Sequence, residues 1–523
     1  MSKKIKSLSL IVVTLILTAS MLLAQEENVL KLTLEECILR TMKNNLSVAI
    51  QELSPELAAA NLSRAKEKYY PTLSFSFNQR RNENASYSWL EASDQTITKY
   101  NSISGGISQQ IPFGGSLSVS IDSYKNDTNQ RFQTINPRFG STLRFDFTQP
   151  LLQNFGYNIS RREIIIARNN LEISRVQLEK SLMDIIYQVE QAYWALSYAI
   201  DNLEVRRHSL KLAQELLEKN KRSVEIGTLA PIEILSAQSE VATREADIIQ
   251  AELAVKNAED QLRVLMNMSE EEQRKYTAII PVDKPKFEQK SLSLDEALNI
   301  ALSNRPDLKS LQIELQTQQF NLNVARNQLL PQLNLNASYW SPGISGTRIL
   351  YLNDNPLSGV VVGTIPSPRT DAIKDALNFK YQNWSVGLTL NIPVSNVLSR
   401  ANYAQAKINL EQATLNLKRQ EQQALLEIKT ALRDVEANLK RVEAYRFARE
   451  LQEKKLAAEE EKLKVGQSTN YTVLMYQRDL ANARAAELKA IIDYNISLAN
   501  LERALGLSLK NRNIRVVDFS IQD

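Results

Sequence analysis

Cysteine and histidine are almost missing from this 523-residue sequence, which has only Cys37 and His208. One cysteine cannot form a disulfide within the chain. The two residues together provide no ligand set for a metal ion and no basis for histidine-dependent catalysis. A glycine-rich phosphate loop and a cleft-like pair of carboxylates are also absent. We therefore expect no metal, no cofactor and no enzymatic activity.

The sequence also lacks an excess of charge of one sign. It contains 63 Lys and Arg residues and 59 Asp and Glu residues, which gives a net charge of +4. Both signs are interspersed along the chain, whereas a nucleic-acid-binding surface concentrates basic residues. The charge pattern therefore predicts no nucleic-acid partner.

Long apolar runs are missing after residue 24, so no membrane-spanning helix is predicted there. The N-terminus differs, because three lysines precede a mostly apolar stretch, residues 8 to 23, that ends at Ala24. This pattern predicts a signal peptide, residues 1–24, with an uncleaved membrane anchor as the alternative. A secreted chain without a membrane helix can still enter a membrane as a β-barrel.

The most prominent feature present is an uninterrupted helical pattern from residue 161 to residue 226. One apolar seam repeats every seven residues at Leu182, Val189, Leu196, Leu203, Leu210 and Leu217. A second seam contains Leu178, Ile185, Ala192 and Ala199. Two such seams indicate a coiled coil, and the helix would be about 100 Å long. A helix of that length predicts a column, a tether or the wall of a tunnel.

The sequence contains an internal duplication. The segment Leu-Thr-Leu-Glu-Glu-Cys at residues 32–37 recurs as Leu-Ser-Leu-Asp-Glu-Ala at residues 292–297. Further along the chain the two copies are offset by 239 residues, and this offset relates Gly227 to Gly466. Two gap-free blocks of similarity predict two copies of one structural unit.

Each copy is predicted to contain strands, a long helix and a return helix. The first repeat is residues 25–268, with strands at 72–149, a long helix at 160–226 and a return helix at 231–267. A charged, proline-containing linker, residues 269–290, is expected outside the helical part. The second repeat is residues 291–510, with strands at 332–392, a long helix at 398–465 and a return helix at 470–506. Residues 511–523 form a C-terminal tail.

Local signals mark the element ends. Thr33 with Glu36, and Ser293 with Glu296, form capping boxes at the first helix of each repeat. Proline cannot continue a helix, so prolines are expected where the chain enters and leaves the strands. These strand-entry and strand-exit prolines are Pro71, Pro150, Pro331 and Pro393.

The strand segments alternate apolar with polar residues, which suits a barrel with lipid outside and water inside. A soluble sheet with one packed face is the alternative. The first repeat has an additional predicted hairpin, at about residues 105–124, which either widens a shared barrel or folds beside it. Long surface loops are expected at residues 82–99 and 341–383.

This arrangement resembles the TolC-like outer-membrane efflux proteins over residues 30 to 510. The resemblance rests on the two openings at residues 32–37 and 292–297, the strand-entry prolines and the glycine tips. It implies a mainly helical fold with a transmembrane β-barrel portion, built from a duplicated helix, β-hairpin and long-helix-hairpin unit. A homotrimer would share one outer-membrane barrel and one periplasmic α-helical barrel.

The resemblance also implies a function, that of a passive exit duct for a tripartite efflux or type I secretion system. Its implied partners are a periplasmic adaptor protein, outer-membrane lipid and an inner-membrane pump of the RND or ABC type. The alternative is a periplasmic coiled-coil scaffold or adaptor protein without a membrane barrel. Such an adaptor should usually have one helical hairpin and no duplicated strand unit.

The tips of the two long hairpins are the candidate functional sites. In TolC-like proteins these tips close the periplasmic end of the duct and meet the adaptor. The matching residues here are Ile226, Gly227, Thr228, Glu233, Val465, Gly466, Gln467, Thr472 and Met475. Glycine also suits a tight reversal of the backbone, so a purely structural turn is the other interpretation.

Family members often carry an aspartate pair in the second tip that rings the aperture and selects cations. Thr472 and Met475 occupy those positions here, so this acidic ring is absent. Glu233 has the equivalent place in the first tip and is a candidate substitute, with a solvated glutamate at a helix start as the alternative. Tyr471 and Tyr476 are candidates for narrowing the aperture instead.

Overall fold

The structure of the protein is a computed structural model that describes residues 29–88, 91, 94–285, 287 and 292–516. The predicted signal peptide, residues 1–24, lies outside the described residues. The last seven residues of the predicted C-terminal tail, 517–523, also lie outside them.

Helices dominate the described part of the chain. In chain order they are α1 (Leu34–Asn44), α2 (Leu46–Glu67), α3 (Tyr157–Ser160), α4 (Arg162–Glu225), α5 (Ile232–Leu265), α6 (Glu270–Lys275), α7 (Leu294–Asn304), α8 (Pro306–Asn327), α9 (Arg369–Leu377), α10 (Val397–Lys464), α11 (Asn470–Leu505) and α12 (Ser508–Asn511). Among the described residues, no helix is both long enough and apolar enough to pass through a membrane.

Strands form one small and one large sheet. They are β1 (Val29–Leu32), β2 (Thr72–Ala85), β3 (Gln95–Gln110), β4 (Ser116–Thr128), β5 (Ile135–Pro150), β6 (Ala278–Pro281), β7 (Gln332–Tyr351), β8 (Val361–Ile365) and β9 (Asn383–Asn391). Two short 3₁₀ turns, Leu352–Asp354 and Pro356–Ser358, separate β7 from β8.

One compact unit comprises the described parts of Met1–Glu56, Ile173–Leu311 and Asn416–Phe519. Both predicted seams of α4 are buried in this unit from Leu178 to Leu203. They pack with residues of β1, α1 and α5 into its largest core. Cys37 is fully buried there, and burial raises the pKa of its thiol to about 12.

Capping boxes start α1 and α7, as the sequence predicts. The Thr33 hydroxyl accepts a hydrogen bond from the Glu36 N–H at 3.2 Å, and the Glu36 carboxylate accepts one from the Thr33 N–H at 2.9 Å. Ser293 and Glu296 make the same reciprocal pair. Each box satisfies two N–H groups that would otherwise lack partners at the helix end.

The predicted linker, residues 269–290, differs from the prediction because it is partly built into the helical unit. It contains α6 and β6, and β6 pairs in parallel with β1. Ile279 is only 2% exposed and belongs to the same core as α4. The apolar residues of β6 therefore outweigh the charge that dominates the rest of the segment.

The second compact unit comprises Leu57–Glu172 and Gln312–Leu415 and contains the large sheet. Its strands are antiparallel in the order β2–β3–β4–β5–β7, and both β8 and β9 pair with β7. The register places the apolar side chains of neighbouring strands opposite one another, as at Phe145 and Tyr339. The residues between them are mostly serine, threonine, asparagine and charged residues, so the sheet has one apolar and one polar face.

The additional hairpin of the first repeat joins this sheet. It is formed by β3 and β4, which pair from Thr98 to Gln110 around the Pro112 turn. The first repeat therefore contributes four strands, whereas β7 and β9 are the long strands of the second repeat. The hairpin is thus part of the same sheet as the other predicted strands.

The predicted surface loops are shorter than expected, because strands and a helix occupy part of each range. β2 extends to Ala85 and β3 begins at Gln95, which leaves a short connection. Within the second predicted loop, residues 341–383, β7 continues to Tyr351 and is followed by β8 and α9. Helix α9 packs closely on β7, because a Cβ added at Gly343 would lie 2.0 Å from the carbonyl oxygen of Ala372.

Candidate functional site

The tip of the first helical hairpin reverses through a Schellman turn. After α4 ends at Glu225, the N–H groups of Gly227 and Thr228 donate to the carbonyl oxygens of Val224 and Ser223, both at 2.9 Å. This nested pair of bonds requires a left-handed residue. Gly227 supplies it with φ of +81°.

The second tip repeats this turn. The N–H of Gly466 donates to the carbonyl oxygen of Leu463 at 3.1 Å, and the N–H of Gln467 donates to that of Lys462 at 2.8 Å. Gly466 has φ of +76°. The two glycines 239 residues apart thus have the same structural role.

Apolar side chains at both tips are open to solvent. Ile226 is 75% exposed and Val465 is 69% exposed. Thr228 and Gln467, which follow the glycines, are exposed as well. Both tips therefore have a partly apolar, exposed surface.

The return helices begin differently. In the second tip, the Thr469 hydroxyl accepts a hydrogen bond from the Thr472 N–H at 3.2 Å. In the first tip, Pro231 precedes α5 and caps it with no side-chain hydrogen bond. Glu233 is half-buried, and one of its carboxylate oxygens is buried without a hydrogen-bond partner among the described residues.

A groove lies between the two return helices near their starts. Its volume is about 330 Å³. It is lined by Leu235, Ser236, Ser239, Glu240, Tyr471, Leu474, Met475 and Arg478. Of the predicted aperture residues, Met475 and Tyr471 line this groove, whereas Glu233 and Thr472 do not.

Behind the groove, a buried arginine connects three helices. Arg244 of α5 is 3% exposed. Its guanidinium donates to the carbonyl oxygen of Ser209 in α4 at 2.7 Å and to that of Leu474 in α11 at 2.8 Å. Burial lowers the pKa of Arg244, and the Glu240 carboxylate, 3.2 Å away, offsets part of that effect.

No role for Arg244 was predicted from the sequence. Its only sequence signal is a charged residue at a position of α5 where the heptad pattern expects an apolar one. A charge in that position must be paired or hydrogen-bonded to remain buried. Such a break in an apolar stripe could therefore have identified Arg244 as a helix-connecting residue.

The four predicted prolines lie at strand ends. Pro71 and Pro331 directly precede the first residues of β2 and β7. Pro150 is the last residue of β5, and Pro393 follows β9 by two residues. Within the described ranges, no cluster of three or more His, Cys, Asp or Glu residues is suited to holding a metal ion.

Comparison with known proteins gives one family. Residues 146–268 and 297–507 match the sequence profile described as outer membrane efflux protein. These ranges cover more than half of the chain.

Two relatives match a smaller part of the sequence. Toxin and drug export protein A of Aggregatibacter actinomycetemcomitans is 24% identical over 237 residues, which are 44% of this chain and 45% of that protein. An uncharacterized protein of Haemophilus influenzae is 22% identical over 232 residues, or 44% of this chain and 46% of that protein. The chain thus spans just under half of the length of each relative.

Solved structures match nearly the whole chain. The CmeC outer membrane channel of Campylobacter jejuni has a TM-score of 0.62 at 17% identity, covering 90% of this chain and 85% of CmeC. The outer membrane protein VceC of Vibrio cholerae has a TM-score of 0.62 at 13% identity, covering 90% of this chain and 96% of VceC. At these identities the similarity establishes the fold.

Proposed function

Because the chain belongs to the outer membrane efflux protein family, we propose that it is the outer-membrane exit duct of a tripartite efflux or type I secretion system. In this proposal it is a passive channel through the outer membrane and the periplasm. It performs no chemistry, and an inner-membrane pump of the RND or ABC type supplies the energy. One related protein is named for toxin and drug export, which is consistent with either system.

The large sheet is the observation that carries this proposal. Its apolar face includes exposed residues such as Phe75 and Leu388, which would cost free energy in water but suit lipid. Its other face carries Asp146 of β5, which pairs with Arg144 of the same strand at 2.8 Å and accepts a hydrogen bond from the Ser338 hydroxyl of β7 at 2.6 Å. One apolar and one polar face match a barrel wall between lipid and a water-filled lumen.

We propose that three copies assemble, because the sheet of one chain has too few strands to enclose a useful lumen. Eight strands are the practical lower limit for an outer-membrane barrel. In the trimer the helical hairpins would form the periplasmic wall. Their seams would then provide lateral contacts between neighbouring helices.

We also propose that the hairpin tips form the adaptor contact and the periplasmic aperture. Support comes from the exposed apolar residues at both reversals, Ile226 and Val465. Gly227 and Gly466 set the reversals that present Thr228 and Gln467. Glu233, with Thr472 and Met475 in the second tip, would set the charge at the aperture.

A fractionation experiment tests the proposal. The protein is expressed with its own N-terminus, membranes are separated, and samples are run on a denaturing gel with and without heating. A channel of this type is expected in the outer-membrane fraction, with a slowly migrating trimer band that heating converts to monomer. A soluble monomer would refute the duct and favour the periplasmic scaffold.

A further inference from the structure

The large sheet has two edges that lack a neighbouring strand among the described residues. β2 pairs only with β3 and forms one edge. β9 pairs only with β7 and forms the other, with β8 beyond it along the same side of β7. Inside a lipid bilayer every backbone N–H and C=O group needs a hydrogen-bond partner, so both edges must be paired there.

The side chains of both edges are exposed on the same apolar face. On β2 the apolar residues are Leu73, Phe75 and Phe77, and on β9 they are Trp384, Val386, Leu388 and Leu390. The register connects Leu73 to Trp384 through the paired residues Ile107, Val119, Phe145 and Tyr339. The two edge strands therefore belong to one continuous apolar surface.

The apolar residues of β2 and β9 also have their backbone N–H and C=O groups at the free edges of the sheet. The N–H of Asn129 in the loop after β4 donates to the carbonyl oxygen of Ile97 at 3.2 Å, so odd-numbered residues of β3 bond towards β4. Even-numbered residues of β3 then bond to β2, which leaves the odd-numbered residues of β2 facing the free edge. The N–H of Leu151 donates to the carbonyl oxygen of Leu333 at 2.7 Å, so odd-numbered residues of β7 bond towards β5. Even-numbered residues of β7 then bond to odd-numbered residues of β9, which leaves the backbone groups of the even-numbered residues of β9 at the free edge.

We propose that β9 of one copy pairs with β2 of the next copy, with Leu390 opposite Leu73, Leu388 opposite Phe75, and Val386 opposite Phe77. This inference rests on the proposed trimeric duct and specifies how it closes. The two strands run in opposite directions within the sheet, so the new pair is antiparallel. Thr72, the first residue of β2, then lies opposite Asn391, the last residue of β9.

The stagger of this register fits a closed barrel. Because β8 and β9 lie on the same side of β7, one copy contributes six strand positions, across which paired residues lead from Leu73 to Trp384. The proposed pairing places Trp384 opposite Gln79 of the next copy, which is six residues further along β2. Six residues of stagger over six strands is a shear equal to the strand number, which corresponds to a tilt of about 36° in a barrel. Outer-membrane barrels have tilts of about 35–45°.

Three copies of six strands make an eighteen-stranded barrel. Two strands from each repeat would instead make twelve. Barrel diameter grows roughly linearly with strand number, so the hairpin β3–β4 widens the outer-membrane lumen. The proposed register aligns the first residue of β2 with the last residue of β9, and a shift of two residues in either direction would end that alignment.

Cysteine pairs on the polar face test the register. Ser74 and Thr389 lie opposite each other in it, at a position where Cα atoms are about 4.5 Å apart. The test variant is Ser74→Cys with Thr389→Cys, in a Cys37→Ala background. The matched controls combine Thr389→Cys with Thr72→Cys or with Ser76→Cys, which shifts the pair by two residues. Such diagonal positions are about 7–8 Å apart, which is too far for a relaxed disulfide.

After oxidation, the Ser74→Cys/Thr389→Cys variant is expected to shift from monomer to covalent trimer on a non-reducing denaturing gel. The two controls should remain mainly monomer. A trimer formed only by a control, a link within one copy, products larger than a trimer, or no link at all would overturn the register. Ion conductance of the unoxidised variants separates the two proposals, because a register error leaves conducting trimers whereas failure of the duct leaves none.

Discussion

The two hairpin tips share a turn but differ in how the return helix begins. Gly227 and Gly466 occupy the same left-handed position of the same turn. Three residues later, the first tip has Ala230 where the second has Thr469, which caps α11. The duplication has therefore kept the backbone reversal, which only glycine makes easily, while the capping residue diverged.

The return helices also differ in what holds them near the tip. Arg244 of α5 bonds to backbone groups of two other helices, while Ala483 occupies the corresponding place in α11. Close to it, Arg484 makes a half-exposed ion pair with Glu453 at 3.0 Å. The first-repeat return helix thus has a buried polar contact at a position where the second return helix has alanine.

The largest effect is expected when Arg244 is replaced by Met. Removing one partner of a buried charge pair leaves the other poorly compensated and costs about 3 kcal/mol. Hydrogen exchange should show a fall of about this size in the free energy of local opening of α5. The control Arg484→Met removes a half-exposed pair and should cost about 1 kcal/mol or less. Equal effects of the two substitutions would argue against the special role of Arg244.

Replacing either tip glycine by alanine should lower the stability of its tip by somewhat less than the Arg244 substitution does. Both positions have positive φ, where a side chain costs about 1–2 kcal/mol. Gly227→Ala and Gly466→Ala should therefore destabilise their tips by similar amounts, as measured by hydrogen exchange at the reversals. The exposed neighbour Gln467 provides a control, since Gln467→Ala changes no backbone requirement. An effect at only one glycine would show that the two turns are not equivalent.

A smaller effect should distinguish the two caps. Thr469→Ala removes the hydroxyl that accepts from the Thr472 N–H, which should lower the stability of the first turn of α11 by about 1 kcal/mol. The corresponding first-repeat substitution, Ala230→Gly, removes no capping hydroxyl. If exchange of the Thr472 amide is unchanged in Thr469→Ala, the hydrogen bond contributes nothing to the second tip.

The smallest effect is expected at Glu233. If its carboxylate contributes negative charge to the aperture, Glu233→Gln should reduce cation selectivity in single-channel recordings without abolishing conductance. Thr472→Val, at the corresponding position of the second tip, removes no charge and is the matched control. Unchanged selectivity in Glu233→Gln would remove this residue from the aperture.

Repeated local signals made much of the helical fold predictable. The long helix was predicted at residues 160–226 and is observed at Arg162–Glu225, because its apolar seams recur over many turns and glycine follows. The tip glycines could also be predicted from local signals, since a left-handed turn after a helix favours glycine.

Contacts between distant residues could not be read from the sequence. β7 continues through Pro342 and Gly343 because it pairs with β5, about 200 residues away in sequence, although the apolar alternation has ended. The partners of Arg244 are equally hidden, although the break in the apolar stripe marks Arg244 itself, because it bonds to the backbone of Ser209 and Leu474, whose side-chain types carry no signal for that contact.

The central claim is that the assembled protein is a continuous passive duct, and conductance tests it most directly. Purified trimers are added to a planar lipid bilayer, and current is recorded across it without any energy source. We expect stepwise increases in ion current as single trimers insert. Correctly assembled, heat-modifiable trimers that insert into the bilayer but carry no current would contradict it.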